Sequence, residues 1–408
     1  MAKATNLTPK AFHVPDAKYT EYTRNTLSHA VEENRITSED AALIEEFTGE
    51  IAATSQISPS RKFKITCTLV GWRRFIGPFR ENGIGDLYAG VERIRSSRKD
   101  DGTPEYTQNT LGDYVRFLKR FYRWLIENEY STVPVEKINK IKAPRYTNGV
   151  KSAEELLEPD EVRRMIDACT SSRDRAIVSV LYEGGFRIGE IGTLTWGQVK
   201  FTDWNVTINT DFKTGKGRYV PLVTSRSYLA AWRNDYPGDV TPNAPVFLSY
   251  TKRQFQYRGL SKRLKQIARR ASVEKAITPH LFRHSRITHM LQQGYSESVI
   301  KKICWGHMDT TMLATYGHLQ DSDIDDEIAS MAGVKPPAAK EAAECLEPRQ
   351  CPRCYTVNGP TLKFCGECGL ELTKQAVEDV KIAEQQAELT PEFQALYDKI
   401  MRDLQNLS

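Results

Sequence analysis

Apolar residues recur every three to four positions through much of the first third of the chain, which is the spacing of amphipathic helices. Thr37 followed by Asp40 predicts the start of one helix. Further apolar stripes predict helices around residues 65–75 and 111–125. The preceding residues 1–35 are polar and weakly patterned, which indicates a flexible arm with room for one short helix.

The helix predicted over residues 111–125 has a basic face opposite its apolar stripe. That face carries Arg116, Lys119, Arg120 and Arg123. Such a face is either solvated or packed against a DNA backbone. In the second case its basic side chains bind phosphates without reading the base sequence. We therefore predict a helical, candidate DNA-binding domain over residues 36–130, with both interpretations of its basic face open.

The pattern changes in the middle of the chain. Residues 131–155 are basic with little periodicity and indicate a linker. Residues 156–335 then mix predicted helices with two strand-like segments, 205–210 and 218–223, joined by a glycine-containing turn that predicts a hairpin. A basic helix over residues 259–271 includes the candidate DNA contacts Lys262 and Arg263. The fold class expected is mostly α with a small β-sheet (α+β).

Composition and charge limit the possible domain number and partners but do not identify a function. The chain has 408 residues, which suggests two to three domains. The net charge of +5 permits a nucleic-acid partner but does not require one. No apolar run approaches the ~20 residues of a membrane span, and the first residues lack a secretory signal. We expect a cytoplasmic protein without a membrane partner.

Residues suited to phosphate chemistry stand in a distinctive order. Thr278-Pro279 predicts a helix start, which would place His280 and Arg283 on one face at the positive end of the helix dipole. Gly306-His307 follows, and then Tyr316 nine positions later. Arginine binds phosphate bidentately, and a tyrosine can be a covalent nucleophile.

The upstream half of the pattern adds further cations. Arg187 follows a double glycine, and the carboxylate of Glu190 comes three positions later. Lys213 precedes the predicted hairpin turn, and Lys216 is a competitor for the same role.

The order Arg, Lys, His-x-x-Arg, His, Tyr resembles that of the tyrosine recombinase (phage integrase) family. The resemblance covers about residues 155–320, and more weakly the helical region before them, which would be a core-binding (SAM-like) domain. It implies that Tyr316 attacks a DNA phosphate and forms a 3′-phosphotyrosyl link, with catalysis needing no metal or nucleotide. The phosphate-stabilising groups implied are Arg187, Arg283, His307 and Lys213. Glu190 would orient the arginines, and whether His280 or His307 acts as the base stays open.

The resemblance also implies a site-specific recombinase or integrase that works on two double-stranded DNA sites. A homo-tetramer would assemble through a helix over residues 321–332. A type IB topoisomerase and a DNA-binding regulator that has lost cleavage are the alternatives weighed. The target sequence and the choice between integration and excision stay open.

The tail carries a second motif. Cys351-x-x-Cys354 and Cys365-x-x-Cys368 have the spacing of a four-thiolate structural zinc site. We predict a zinc ribbon over residues 349–372, tethered by a linker at 336–348, with a DNA or protein partner. A helical segment follows over residues 373–408. The appended ribbon favours a mobile element, of archaeal type.

Overall fold

The computed structural model describes residues 12–146, 155–210, 217–311, 313, 346 and 348–388, with side chains as far as residue 384. The chain forms two compact units, Val14–Val150 and a second one made of Met1–His13 with Lys151–Ser408. We call them the helical unit and, after the expectation from the sequence, the catalytic unit. The helical architecture with small sheets confirms the predicted fold class.

The helical unit contains the first six helices, which pack around one apolar core. They are α1 Asp16–Glu32, α2 Ser38–Ser55, α3 Pro59–Trp72, α4 Ile84–Ser96, α5 Gln108–Glu127 and α6 Val135–Lys140. The start of α2 is the capping box predicted from the sequence, because Asp40 N donates to Thr37 Oγ1 and Thr37 N donates to Asp40 Oδ2, both over 3.0 Å.

Two domain predictions need correction in this unit. Residues 16–32 of the expected flexible arm are the helix α1, which packs on α3 and buries Leu27 and Ala30. The first part of the expected linker carries α6, and its Ile138 and Ile141 are buried in the same core. Both segments are polar overall, and a few apolar contacts to distant helices hold them in place.

The catalytic unit surrounds a three-stranded sheet with helices. Its first elements are α7 Pro159–Asp167, α8 Ser172–Glu183, α9 Ile188–Gly192, β1 Val199–Phe201, β2 Val206–Thr210 and β3 Arg218–Leu222. There follow α10 Ser225–Asn234, α11 Tyr257–Arg270, α12 Pro279–Gln292 and α13 Glu297–Trp305. The sheet is antiparallel in the order β1-β2-β3.

The predicted hairpin is confirmed. Strand β2 pairs with β3 in a register that places Val206 opposite Leu222 and Thr210 opposite Arg218. The turn over residues 211–216 lies outside the described residues. The inward positions of β3 are Arg218, Val220 and Leu222, so a charged residue occupies a place that the alternating pattern assigns to the core.

The tail adds a second, two-stranded sheet of β4 Arg349–Gln350 and β5 Val357–Asn358, followed by α14 Lys374–Glu388. The predicted assembly helix at residues 321–332, the tether before residue 346, and the end of the chain lie outside the described residues. No described helix is both long enough and apolar enough to cross a bilayer.

Candidate functional site

Helix α12 begins as its sequence predicts. Leu281 N donates to Thr278 Oγ1 over 3.2 Å, and Pro279 occupies the first turn. His280 is exposed at this end of the helix, whereas Arg283, one turn later, is only 3% exposed. The helix therefore places a histidine at the surface and an arginine directly beneath it.

Arg283 ties three elements together. Its Nη1 donates to Gly185 O before α9, and its Nη2 donates to Cys304 O in α13, each over 2.6 Å. Its guanidinium carbon also lies 5.0 Å from the centre of the Trp305 ring. Gly185 takes a φ of +53°, which glycine adopts without strain.

Arg187 is the N-cap residue of the short helix α9. Its backbone N–H donates to Glu190 Oε2 over 2.7 Å, and its Nη1 lies 3.3 Å from Glu190 Oε1. The Arg187 side chain remains 39% exposed. Glu190 therefore binds both the backbone and the guanidinium of Arg187, while the side chain stays partly exposed.

Arg218 is a site residue that the sequence analysis missed. It is 1% exposed and donates to Glu190 Oε2, to Ile303 O over 2.6 Å and to Cys304 O over 3.2 Å. Burial lowers its pKa to about 10, against the opposing effect of Glu190. The signal in the sequence is an arginine at an inward position of a strand, since a buried cation requires a carboxylate partner.

Glu190 thus joins the exposed Arg187 to the buried Arg218. Arg218 and Arg283 in turn share the carbonyl of Cys304. Three guanidinium groups against one carboxylate leave an excess of positive charge, and this excess suits an anion.

The two histidines have different surroundings. The pKa of His280 is lowered, first by burial and then by the charges of Arg283 and Arg187. His280 is therefore neutral at pH 7, as a proton acceptor must be. His307 follows Gly306, whose φ of +78° ends α13, and its Nδ1 is buried without a hydrogen-bond partner among the described residues.

The structure brings together four of the predicted site residues, namely Arg187, Glu190, His280 and Arg283, on α9 and α12. His307 follows α13, in which Arg283 binds Cys304 O. Lys213, its competitor Lys216, and Tyr316 lie outside the described residues, so their placement stays a prediction.

Comparison with known proteins gives the family of this region. Residues 155–323 match the family model of the phage integrase family. Tyrosine recombinase XerC of Xanthomonas campestris pv. campestris is 30% identical over 203 residues, covering 49% of this chain and 61% of that protein. Residues 155–323 are therefore a phage integrase family domain.

Other similar proteins extend the similarity to more of the chain. Transposase A from transposon Tn554 of Staphylococcus aureus is 26% identical over 298 residues, covering 65% of this chain and 77% of the transposase. The DNA-bound structure of lambda integrase residues 75–356 has a TM-score of 0.53 at 13% identity, covering 69% of this chain and 98% of that one. At this identity the structural likeness shows a shared fold.

The tail cysteines converge as their spacing predicts. The ligand atoms of Cys351, Cys354, Cys365 and Cys368 all lie within 4.8 Å of one another. A tetrahedral ion with metal–sulfur bonds of about 2.3 Å separates its sulfurs by about 3.8 Å. Two of the Sγ–Sγ distances are 3.5 Å, so the four thiols fit around one metal ion.

The cysteine module is not a detached domain. Thr361 N donates to Tyr228 Oη over 3.3 Å, and the Thr361 and Tyr228 hydroxyls share a second hydrogen bond. A Cβ on Gly359 would lie 2.8 Å from the Tyr228 ring and 2.9 Å from Ser227 Oγ, so only glycine fits there. The module is therefore held not by the predicted tether alone but also by direct packing on α10.

The candidate DNA contacts on α5 have protein partners. Lys119 Nζ donates to Asn139 O and Ile141 O, Arg123 binds Asn139 Oδ1, and Arg116 Nη2 donates to Pro144 O. Arg120 Nη2 lies 3.3 Å from Ser55 Oγ. These contacts favour the structural interpretation of the face, because three of its four basic side chains bind the end of α6 and the segment after it.

The two candidates on α11 differ from each other. Arg263 Nε donates over 2.8 Å to Asp174, a fully buried carboxylate that Arg173 also binds. Lys262 is exposed. Of this pair, Lys262 stays the candidate DNA contact, whereas Arg263 is engaged in a buried ion pair.

Proposed function

We propose that this chain is a site-specific DNA recombinase that cleaves and rejoins DNA strands through a 3′-phosphotyrosyl intermediate on Tyr316. The observation that carries the proposal is the anion site formed by Arg187 and Arg283, braced by Glu190 and Arg218, next to a neutral histidine. Such preorganised cations stabilise the charge of a pentacoordinate phosphate.

The reaction is a transesterification. The Tyr316 oxygen forms a bond to phosphorus while the bond from phosphorus to the 5′ oxygen breaks. His280 takes the phenol proton, since its lowered pKa keeps it neutral, and His307 binds a non-bridging oxygen. Lys213, or its neighbour Lys216, gives a proton to the leaving 5′ oxygen. A 5′ hydroxyl freed in the same way on a second strand then attacks the phosphotyrosine. Its oxygen bonds to phosphorus, the bond from phosphorus to the Tyr316 oxygen breaks and the phenol regains its proton, so no external energy source is required.

A nicked suicide substrate tests this proposal. The scissile strand is cut so that the short 5′-hydroxyl fragment diffuses away, and the covalent protein–DNA adduct is detected in a denaturing gel. The full chain should form the adduct, Tyr316→Phe should not, and Tyr22→Phe should behave as wild type because this exposed tyrosine lies on α1 of the helical unit. An adduct that survives Tyr316→Phe contradicts the assignment. Relaxation of plasmids without site preference would instead indicate a topoisomerase.

Assembly on two DNA sites as a homo-tetramer is part of the proposal. The catalytic unit has an open groove of about 560 Å³ between β3 and α13, whose exposed apolar residues are Tyr219, Val299 and Met308. We assign it to the apolar stripe of residues 321–332 from a neighbouring protomer. Deleting 321–332 or making Val299→Asp should reduce the mass of the protein–DNA complex in light scattering, and a tetramer in both variants would count against the assignment.

We further propose that the four cysteines hold one structural Zn²⁺, with a DNA or protein partner for the module they form. Elemental analysis of the purified chain should give one zinc per chain, lost in Cys365→Ser and kept in Cys67→Ser. Since its substrate is DNA, the recombinase would act in the cytoplasm, with transfer of a mobile element as its role.

A further inference from the structure

A short N-terminal segment is embedded in the catalytic unit. Phe12 is only 3% exposed and belongs to the main core cluster of this unit, although residues 14–150 form the other one. Its ring lies edge-on to Tyr257 of α11, with 6.3 Å between ring centres. The chain thus anchors one aromatic side chain in the catalytic unit immediately before it enters the helical unit.

The anchor lies on α9. A Cβ on Gly192 would overlap the ring of Phe12, and a Cβ on Gly189 would lie 2.9 Å from His13 Nε2. Gly189 and Gly192 are one turn apart, so they share a face of the helix. The absence of side chains at both positions lets the segment approach the helix backbone.

Helix α9 depends on such contacts for its position. It has five residues, and a helix this short is not stable by itself in water. Ile188 and Ile191 pack one of its faces into the core, while Phe12 and His13 cover the glycine face. The helix is therefore held from two sides, one of them formed by a segment from the far end of the chain.

The same helix carries the charged residues of the site. Arg187 is its N-cap, and Glu190 in its first turn binds both Arg187 and Arg218. A tilt or partial unwinding of α9 would move the Arg187 guanidinium away from the phosphate it is proposed to bind. A displacement of about 1 Å at a reacting group can cost as much as a hundredfold in rate.

We propose that Phe12 and His13 form an N-terminal latch, in which Phe12 is a positioning residue that holds α9, and thereby Arg187 and Glu190, in the geometry needed for strand cleavage. The inference rests on the proposed function for its catalytic consequence. Its structural part, the restraint of α9, is independent of what the site does.

Single-turnover cleavage of the suicide substrate by the full chain measures the consequence. Phe12→Ala should slow adduct formation by about tenfold to a hundredfold, with DNA affinity in a gel-shift assay unchanged. Phe12→Leu, which keeps an apolar side chain, should recover most of the rate. Val14→Ala, two positions away at an exposed residue, is the matched control and should cleave as wild type. Equal cleavage rates for Phe12→Ala and wild type would overturn the latch.

Hydrogen exchange of the free protein measures the restraint directly. Amides of residues 187–192 should exchange faster in Phe12→Ala, while those of α8 stay protected. Gly192→Ala provides a second route, because its methyl group displaces the ring, and it should reproduce the same exchange pattern if Phe12→Ala fails to fold. Unchanged protection of α9 in either folded variant refutes the latch. A wild-type chain that forms no adduct while its exchange behaves as expected would overturn the proposed function and leave the restraint standing.

Discussion

Replacing Arg218 by methionine tests the buried charge network beneath the site. The substitution keeps a long apolar side chain and removes the guanidinium, which is fully buried and donates to Glu190, Ile303 O and Cys304 O. The Glu190 carboxylate, itself 10% exposed, would keep its contacts to Arg187 but lose its buried cation. The carbonyl of Ile303 would lose this donor, whereas Cys304 O would keep Arg283.

The magnitude follows from these losses. Breaking a buried ion pair by removing one partner costs about 3–5 kcal/mol, because the remaining charge is left without compensation. Since Arg187 continues to bind Glu190, we expect a value near the lower end, about 3 kcal/mol. The double variant Arg218→Met/Glu190→Gln should cost less than the sum of the two single changes by at least about 1 kcal/mol.

The assay is urea unfolding of the full chain, followed by hydrogen exchange and mass spectrometry of peptides covering β3 and α13. These peptides report on the catalytic unit alone, since β3 and α13 both lie in it. Arg226→Met is the matched control, because Arg226 is partly buried and donates to a backbone carbonyl, that of Thr202. A loss below about 1 kcal/mol for Arg218→Met, or additive costs in the double variant, would refute the reasoning.

Two further predictions concern pH and metal. Burial lowers the pKa of His289 from 6.5 to about 4, and its Nδ1 lies 2.7 Å from the Tyr182 hydroxyl. The unfolded chain therefore binds the proton more tightly than the folded chain. The contribution of neutral His289 to the free energy of unfolding, about 3 kcal/mol, is complete above pH 6.5 and is lost as pH falls towards 4. His289→Leu should flatten this part of the stability–pH curve measured by urea unfolding, and an unchanged slope would contradict the assignment. A chelator or Cys365→Ser should release the cysteine module from α10 and speed amide exchange around Tyr228. Cys67→Ser is the control. Unchanged exchange after metal removal would show that the module folds without metal.

Local sequence signals predicted several elements correctly. The capping residues Thr37 and Thr278 start their helices where expected, because a cap involves residues only two or three positions apart. The β2–β3 hairpin and the cysteine cluster followed from short-range spacing in the same way. Each of these features is determined within a few residues of chain.

Features that depend on distant partners were missed. Helix α1 is polar, and its few apolar residues become buried only because the helix packs on α3. Arg218 looked like an ordinary strand residue because its carboxylate, Glu190, lies 28 positions earlier. For the basic face of α5 the sequence left both interpretations open, and the contacts of three of its four basic side chains with residues around 139–144 favour the structural one.

Local sequence specified the kinds of residue at the site, their order along the chain, and the helix start at Thr278 that leaves His280 exposed and Arg283 one turn later. The tertiary structure decided which of those groups touch. It placed Glu190 between Arg187 and Arg218, brought the carbonyl of Cys304 to both buried arginines, and set Phe12 against α9. The physical reason is that a buried charge or a short helix is stabilised by whatever surrounds it in space, and those neighbours come from remote parts of the chain.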